Sequence, residues 1–443
     1  MKLKLMGKAL YPLSLIIMVS FISGCMHTGG RTDKKEPTAA PDKVTLKVVQ
    51  SLTTPQRTAQ LRKLIEHFES VNPNISIELV SPDYETADEK ILDMLENKRQ
   101  VDIVEVRDIT VHEYASHDLL ASLENYIATW SNYMHLSENA RLMARDFDNI
   151  TYFIPSSLFQ VQLYYRKDWF DAKALQVPET WEQLFFVGKQ LTKPEIQQYG
   201  FAFRGGLGAA SMLSSIIQDY NGDKVDANDS MFNTDGSTIF TGERAAEALE
   251  LYRKIYVETA HPTSIDWGFK EQVEAFVDGK AAMLIQDSDV IATIQEKLKE
   301  GEWATAPLPT GPQDVSHYNV GAAGWGIAKQ SGHKDEAWAF ISYLSSQDNN
   351  RAFTDSTGVV SIYNDDYDVE KYSTGPYAPY MLMENNPIRF RGVKRPSQYT
   401  RYSEYYQMCT KAGRQFLQES ISAKTLLKQF DDFWLRQRDA AGK

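Results

Sequence analysis

Chemistry in this chain of 443 residues has to come from a few side-chain groupings. His112-Glu113 with His117 approaches a zinc-protease helix motif, but its histidines are five apart, which is about 140° out of register on a helix and off one metal-facing side. Asp219, Asn221 and Asp223 alternate as in a calcium loop. Gly222 and Lys224 break the required order and Ser230 stands where the closing carboxylate belongs, so a solvated acidic loop is the simpler reading. Gly206-Leu-Gly208-Ala-Ala-Ser211 lacks the third glycine of a dinucleotide loop and reads as a turn. No Gly-x-Ser-x-Gly elbow or P-loop is present. Asp and Glu, 59 together, are plentiful enough to supply a glycosidase's carboxylate pair, so glycoside hydrolysis stays open. One grouping remains, Gln286-Asp287-Ser288-Asp289 at the end of an apolar run. At the carboxyl end of a sheet strand such side chains are placed to meet a small polar molecule.

The elements around that grouping can be read from periodicity. A helix carrying Val273, Phe276 and Val277 stops at Gly279, the usual left-handed C-terminal residue, and Ala281 to Ile285 then reads as a short buried strand. Upstream, Val44 to Val49 alternates as a strand, and Leu61, Leu64, Ile65 and Phe68 form one helical stripe. Ile75, Ile77 and Leu79 alternate again, Ala87 to Lys98 reads as a helix, and Val101 to Val106 as a more buried strand. This β-α-β-α-β order implies a largely parallel sheet with helices on both faces. Pro178 ends an extended segment, and Thr180 can cap a helix that starts at Trp181.

The chain opens with Lys2, Lys4 and Lys8, a mostly apolar stretch from Ala9 to Phe21, and Ile22-Ser23-Gly24-Cys25. That is the order of a secretion signal ending in a lipobox. Residues 1–24 are therefore expected to be removed as a signal peptide, and Cys25 to become a lipidated N-terminus. An ordinary signal or membrane anchor with a chance cysteine is the alternative, although the run is short for a bilayer span. Loss of the three lysines moves the formal net charge from −12 to −15, which argues against nucleic acid or an anionic membrane surface as main partner. Cys409 is the other cysteine, so no intramolecular disulfide can form once Cys25 is lipidated, and it suits a buried small hydrophobe. Residues 25–43 read as a flexible tether. The roughly 400 residues beyond are long for one core, so two lobes are expected.

Phe276-Val-Asp-Gly279-Lys280-Ala-Ala-Met283 resembles a recurrent signature of the family 1 extracellular solute-binding proteins of ABC importers, the group that includes maltodextrin and other sugar binders. Any helix-glycine-strand corner can look alike, so the resemblance leans on further phrases in family order. These are Phe68-x-x-x-Asn72-Pro73, Asp102-Ile-Val104, Tyr114-Ala115 before Leu119-Leu120, Tyr152-Phe-Ile-Pro155, Leu163 to Phe170, Pro178-x-Thr180-Trp181, Ala306-Pro307-Leu308-Pro309 and Gly321 to Ile327. Arg166 and Trp169 stand where the family has Asn and Leu. The resemblance covers about 44–345 and marks 347–443 weakly. It implies an α/β, periplasmic-binding-protein-like fold of two lobes joined by a multi-strand hinge with the ligand cleft between them. The N-terminal lobe would be 44–157 plus 318–346 and the C-terminal lobe 160–309 plus 347–443. The implied function is capture of a carbohydrate, expected to be an oligosaccharide, by lobe closure and delivery to ABC permease subunits. A monomer held by lipid on the outer face of the cytoplasmic membrane is expected, with no catalytic group, metal or cofactor. A secreted lipoprotein glycoside hydrolase, or a binder of a non-sugar solute, is the alternative.

Strand ends and crossovers are the expected ligand contacts. Gln50 ends the first strand, Arg107 and Asp108 end the third, and Gln160 and Gln162 lie in the first crossover. Arg204 and Gly205 follow a strand from Phe201 to Phe203, while Asp266 and Trp267 follow a turn at Pro262. Asp287, Trp325 and Arg389 complete the set, the last because relatives carry a cleft aromatic or charged group in that region. Carboxylates with arginines grip vicinal hydroxyls through charge-assisted hydrogen bonds, and a 12% aromatic content offers many stacking faces. Plainer uses exist: Trp325 as hinge packing, Asp108 as a helix cap, Arg204 in a surface ion pair.

Overall fold

The alternation at Val44–Val49 becomes strand β1, which pairs in parallel with β2 (Ile75–Val80) and β3 (Ile103–Arg107). The computed structural model describes residues 43–83, 86–145, 147–363, 370–394, 396, 398–399 and 401–442. The expected signal segment 1–24, the lipidation site Cys25 and the tether up to residue 42 lie outside the described residues.

Beyond β3 the sheet continues through β4 (Phe153–Tyr165) and β5 (Tyr199–Phe201), a separate hairpin of β6 (Val225–Asp226) and β7 (Asp229–Asn233), then β8 (Ala281–Asp287), β9 (Ala304–Ala306), β10 (Ser316–Ile327) and β11 (Phe390–Lys394). The strand order is β2-β1-β3-β10-β4-β8-β5, with β11 on β10 and β9 on β4. Two long strands carry the chain between two lobes. From Phe153 to Gln160, β4 is antiparallel to β10, and from Val161 to Tyr165 it is antiparallel to β8. In turn β10 pairs with β11 through Ser316–Val320 and with β3 through Ala323–Ile327. The multi-strand hinge is therefore made of strands that belong to both lobes. Pro155 is tolerated inside β4 because the register shifts there, with Gly324 opposite Pro155 and Ala323 opposite Ser157.

Each lobe has its own core. Helix Pro55–Val71 starts at Thr54, whose Oγ1 accepts from Arg57 N at 3.2 Å, and carries proline in its first turn where no donor is lost. It buries Leu61, Leu64, Ile65 and Phe68 against Leu46, Val48, Trp325 and Phe340. Each fully buried Leu or Phe of this kind contributes about 1.5–3 kcal/mol. Helix Gln347–Thr357 belongs to the same packing through Phe353, and Asn350 Nδ2 donates to Ser156 O of β4 at 2.7 Å. The second core gathers Trp181, Leu213, Tyr252, Phe430 and Trp434 from four helices. Thr180 caps helix Trp181–Leu191, its Oγ1 accepting from Gln183 N at 3.2 Å. Cys409 is buried in this core, and burial pushes its thiol up. Gly279, at φ +70°, ends the helix Phe269–Val277 in the left-handed region and releases the chain into β8. No helix among the described residues is long and apolar enough to cross a membrane.

Candidate functional site

A cavity of about 790 Å³ lies where the carboxyl ends of β3 and β8 face one another beside the hinge. Its first wall is Leu52, Thr54 and the first turn of helix Pro55–Val71, Arg107 and Asp108 at the end of β3, and Phe159 of β4. Its second wall is Arg204, Leu207, the end of β8, and one side of helix Ala209–Asn221 presenting Ser211, Met212, Ser215 and Asp219.

Glu105 shapes the first wall from behind. Its Oε2 accepts from Ser51 N at 2.9 Å and Leu52 N at 2.8 Å, and Oε1 accepts from Arg57 Nη2 at 3.2 Å. The Arg57 guanidinium also lies 5.0 Å from the Phe353 ring centre and 6.0 Å from that of Phe159. Arg107 Nη1 donates to Asp88 Oδ2 at 2.7 Å. Across the cavity Arg204 Nε donates to Leu207 O at 2.6 Å, with its guanidinium 5.9 Å from the Phe269 ring centre.

Two glutamines set the end of β8. Gln286 Oε1 accepts from Asp287 N at 2.9 Å, Gln286 Nε2 donates to Gln272 Oε1 at 3.1 Å, and Gln272 Nε2 donates to Ala202 O at 2.8 Å. Asp287 and Asp289 both line the cavity. Enclosure by protein, and then the charge of Asp287, push the Asp289 carboxyl up to about 7, with Arg57 pulling the other way. At the far end Asp219 accepts from Trp181 Nε1 at 2.7 Å and from His317 N at 2.6 Å, and its Oδ1 lies 3.1 Å from His317 Nδ1. Burial raises the Asp219 carboxyl, and His317 opposes the rise.

Of the twelve expected contacts, Arg107, Asp108, Arg204 and Asp287 line this cavity. The other eight lie elsewhere, for identifiable reasons. Gln160 and Gln162 are buried on the opposite side of β4 from cavity-lining Phe159 and Val161, because side chains alternate along a strand. Gln162 Nε2 instead donates to Pro376 O at 2.9 Å. Gln50 folds back, donating from Nε2 to Leu52 O at 3.0 Å and accepting from Thr58 Oγ1 at 2.9 Å. Gly205 meets the backbone of Ile265 so closely that a Cβ would lie 2.6 Å from Ile265 Cα. Asp266 pairs with Arg414, and Trp267 stacks on His261 at 5.5 Å and donates from Nε1 to Thr263 Oγ1 at 3.1 Å. Trp325, 2% exposed, is packed in the first core. Arg389 pairs with Glu179 at 3.0 Å and Asp314 at 2.8 Å beside a separate cavity of about 770 Å³.

Sequence reading singled out Asp289 with the polar run at the end of β8 but left it out of the twelve contacts, and it passed over Arg57, Phe159, Asp219 and His317 as contacts. Asp219 appeared only as a calcium-loop candidate, and nothing local marks His317.

A model of the family described as bacterial extracellular solute-binding protein matches residues 53–351. The periplasmic-binding protein YcjN of Escherichia coli (strain K12), assigned to an ABC transporter, is 23% identical over 344 residues, covering 76% of this chain and 75% of that one. The mannitol-binding protein of Pseudomonas aeruginosa is 27% identical over 208 residues, 45% of this chain and 46% of that one, so the match spans about half the length of that relative. Among solved structures, maltose-bound MalE3 of T. maritima superposes with a TM-score of 0.73 at 19% identity, covering 88% of this chain and 98% of that one. At that identity the likeness establishes the two-lobed fold.

Proposed function

Because the chain belongs to the bacterial extracellular solute-binding proteins, we propose that it captures a carbohydrate between its lobes, closes over it, and hands it unchanged to the permease of an ABC importer. The observation that carries this reading is a cavity walled from both sides of the hinge, with Arg107 and Asp108 on one side and Arg204 and Asp287 on the other. Its volume of about 790 Å³ falls within the roughly 300–1,000 Å³ usual for small-molecule sites. Carboxylates beside guanidinium groups can bracket vicinal hydroxyls, and Phe159 and Phe269 offer apolar faces to sugar C–H groups. The mannitol-binding protein and the maltose-bound structure among its relatives support the carbohydrate class. Arg107, Asp108, Arg204 and Asp287, with Arg57, Phe159 and Asp289, are the proposed contacts. Lipid attachment at Cys25 completes the proposal, resting on the order of charges and small residues before Cys25.

A thermal-shift screen over a glycan library tests it, since a ligand at 100 times its dissociation constant adds about 2.7 kcal/mol to stability. The cognate sugar raises the melting temperature and is recovered intact. A hydrolysed product would instead establish a glycosidase.

A further inference from the structure

The cavity's charges and one buried imidazole narrow the ligand further. Six carboxyl groups surround three arginines: Asp108, Asp219, Asp287 and Asp289 in the wall, with Asp88 and Glu105 behind it. Those last two pair with Arg107 at 2.7 Å and Arg57 at 3.2 Å, so the arginine charge is largely matched before any ligand arrives. No lysine lines the cavity among the described residues. Even with Asp289 and Asp219 protonated, Asp88, Glu105, Asp108 and Asp287 outnumber the three arginines, and the resulting negative field repels a uronate or a sugar phosphate.

His317 lies at the Asp219 end, 1% exposed, on the hinge strand β10. Trp181 Nε1 and His317 N both donate to the Asp219 carboxyl, which is therefore an acceptor, and a neutral His317 ring with Nδ1 at 3.1 Å is satisfied there when it carries its hydrogen on Nδ1. Nε2 is left as the bare lone pair of the imidazole. It has no hydrogen-bond partner among the described residues, although the residue lines the cavity. A buried acceptor in that condition is costly unless something donates to it, and a ligand hydroxyl is the donor the cavity can admit.

We propose that the ligand is uncharged and polyhydroxylated, and that His317 Nε2, oriented by Asp219, accepts a hydrogen bond from one of its hydroxyls. This deepens the carbohydrate reading and rests on it. A cyclic sugar and a linear polyol share this chemistry, so both belong in the test.

Thermal-shift panels of neutral mono-, di- and trisaccharides and polyols, beginning with maltose and mannitol, are run beside the matched uronic acids and sugar phosphates. Stabilisation confined to the neutral panel is expected, and its members separate ring from chain. A uronate or phosphate that stabilises more than its neutral counterpart overturns the proposal. With the best neutral probe, His317→Ala weakens binding at least tenfold, while His317→Gln, which keeps an acceptor, stays within about threefold; equal affinity of H317A and the parent overturns the role of His317. Nitrogen NMR of the ligand-free protein reads the ring independently and covers the case in which H317A does not fold. Hydrogen on Nδ1 with Nε2 bare is expected, and hydrogen on Nε2 rejects the acceptor role. Silence in both panels defeats the carbohydrate reading itself, and the proposed ligand class falls with it.

Discussion

Arg57 and Glu105 are joined by an ion pair at 3.2 Å with side chains only 8% and 1% exposed. The same carboxylate holds the amides of Ser51 and Leu52, so a single buried acid positions both a cavity arginine and the cavity loop. Removing it leaves a buried guanidinium without its partner charge and two amides without acceptors. Glu105→Ala should cost about 3–5 kcal/mol of stability, measured by chemical denaturation of the ligand-free protein. A loss below about 1 kcal/mol would mean that water or another residue takes over the carboxylate's place.

Two tryptophans expected as stacking platforms should behave as structural residues. Trp325→Ala should remove about 3–5 kcal/mol of stability, as for any large core side chain. Trp267→Ala, outside the cavity and stacked on His261, should leave ligand affinity within about twofold. Calorimetric titration with the identified sugar decides the second case, and a tenfold loss would return Trp267 to the site.

Asp289 gives the ligand-free protein a pH dependence whose sign follows from its raised carboxyl. The unfolded chain releases this proton near the ordinary 3.8, whereas the folded chain holds it toward about 7. Between those values the folded state binds more protons, so this group's contribution to stability declines as pH rises through the window. Asp289→Asn should flatten melting temperature against pH there and raise it at pH 8. A variant profile parallel to the parent's would refute the assignment.

How much of this was legible in the sequence depends on which contacts make it. The strand at Val44–Val49, the stripe Leu61 to Phe68 and the stop at Gly279 follow from local periodicity and backbone preference, and they are where reading along the chain finds them. Strand ends Arg107 and Asp287 reach the cavity for the same local reason. Gln160 and Gln162 did not, because parity on β4 is settled by its pairing with β10 and β8, strands more than a hundred residues away. Trp325 could not be told from a platform, since whether an aromatic faces core or cleft depends on the helix that covers it. His317 meets Asp219 across 98 residues, and no window of sequence contains both.

Closure should be visible in solution. The first and second walls are connected through β4 and β10, so ligand bridging them should reduce the radius of gyration measured by X-ray scattering. Saturation with the identified sugar without any change in radius would remove closure from the mechanism.

Anchoring is tested by one atom. Cys25→Ala should move the protein from the membrane fraction to the medium with an unchanged melting temperature. A variant still recovered with membranes would show that the thiol is not the attachment point.

The path of β10 has a consequence for the order in which the molecule can be completed. This strand enters between β3 and β4, both made more than 150 residues before it. Until residue 327 has emerged, β3 presents an open edge, and the second core still waits for Trp434 near the other end of the chain. The first lobe therefore cannot finish before its late strand and helix are made, the second waits longer still, and contacts of such long sequence separation form slowly. A nascent chain of this topology remains threadable for longer than one whose halves close in turn, which suits passage through a secretion channel before folding.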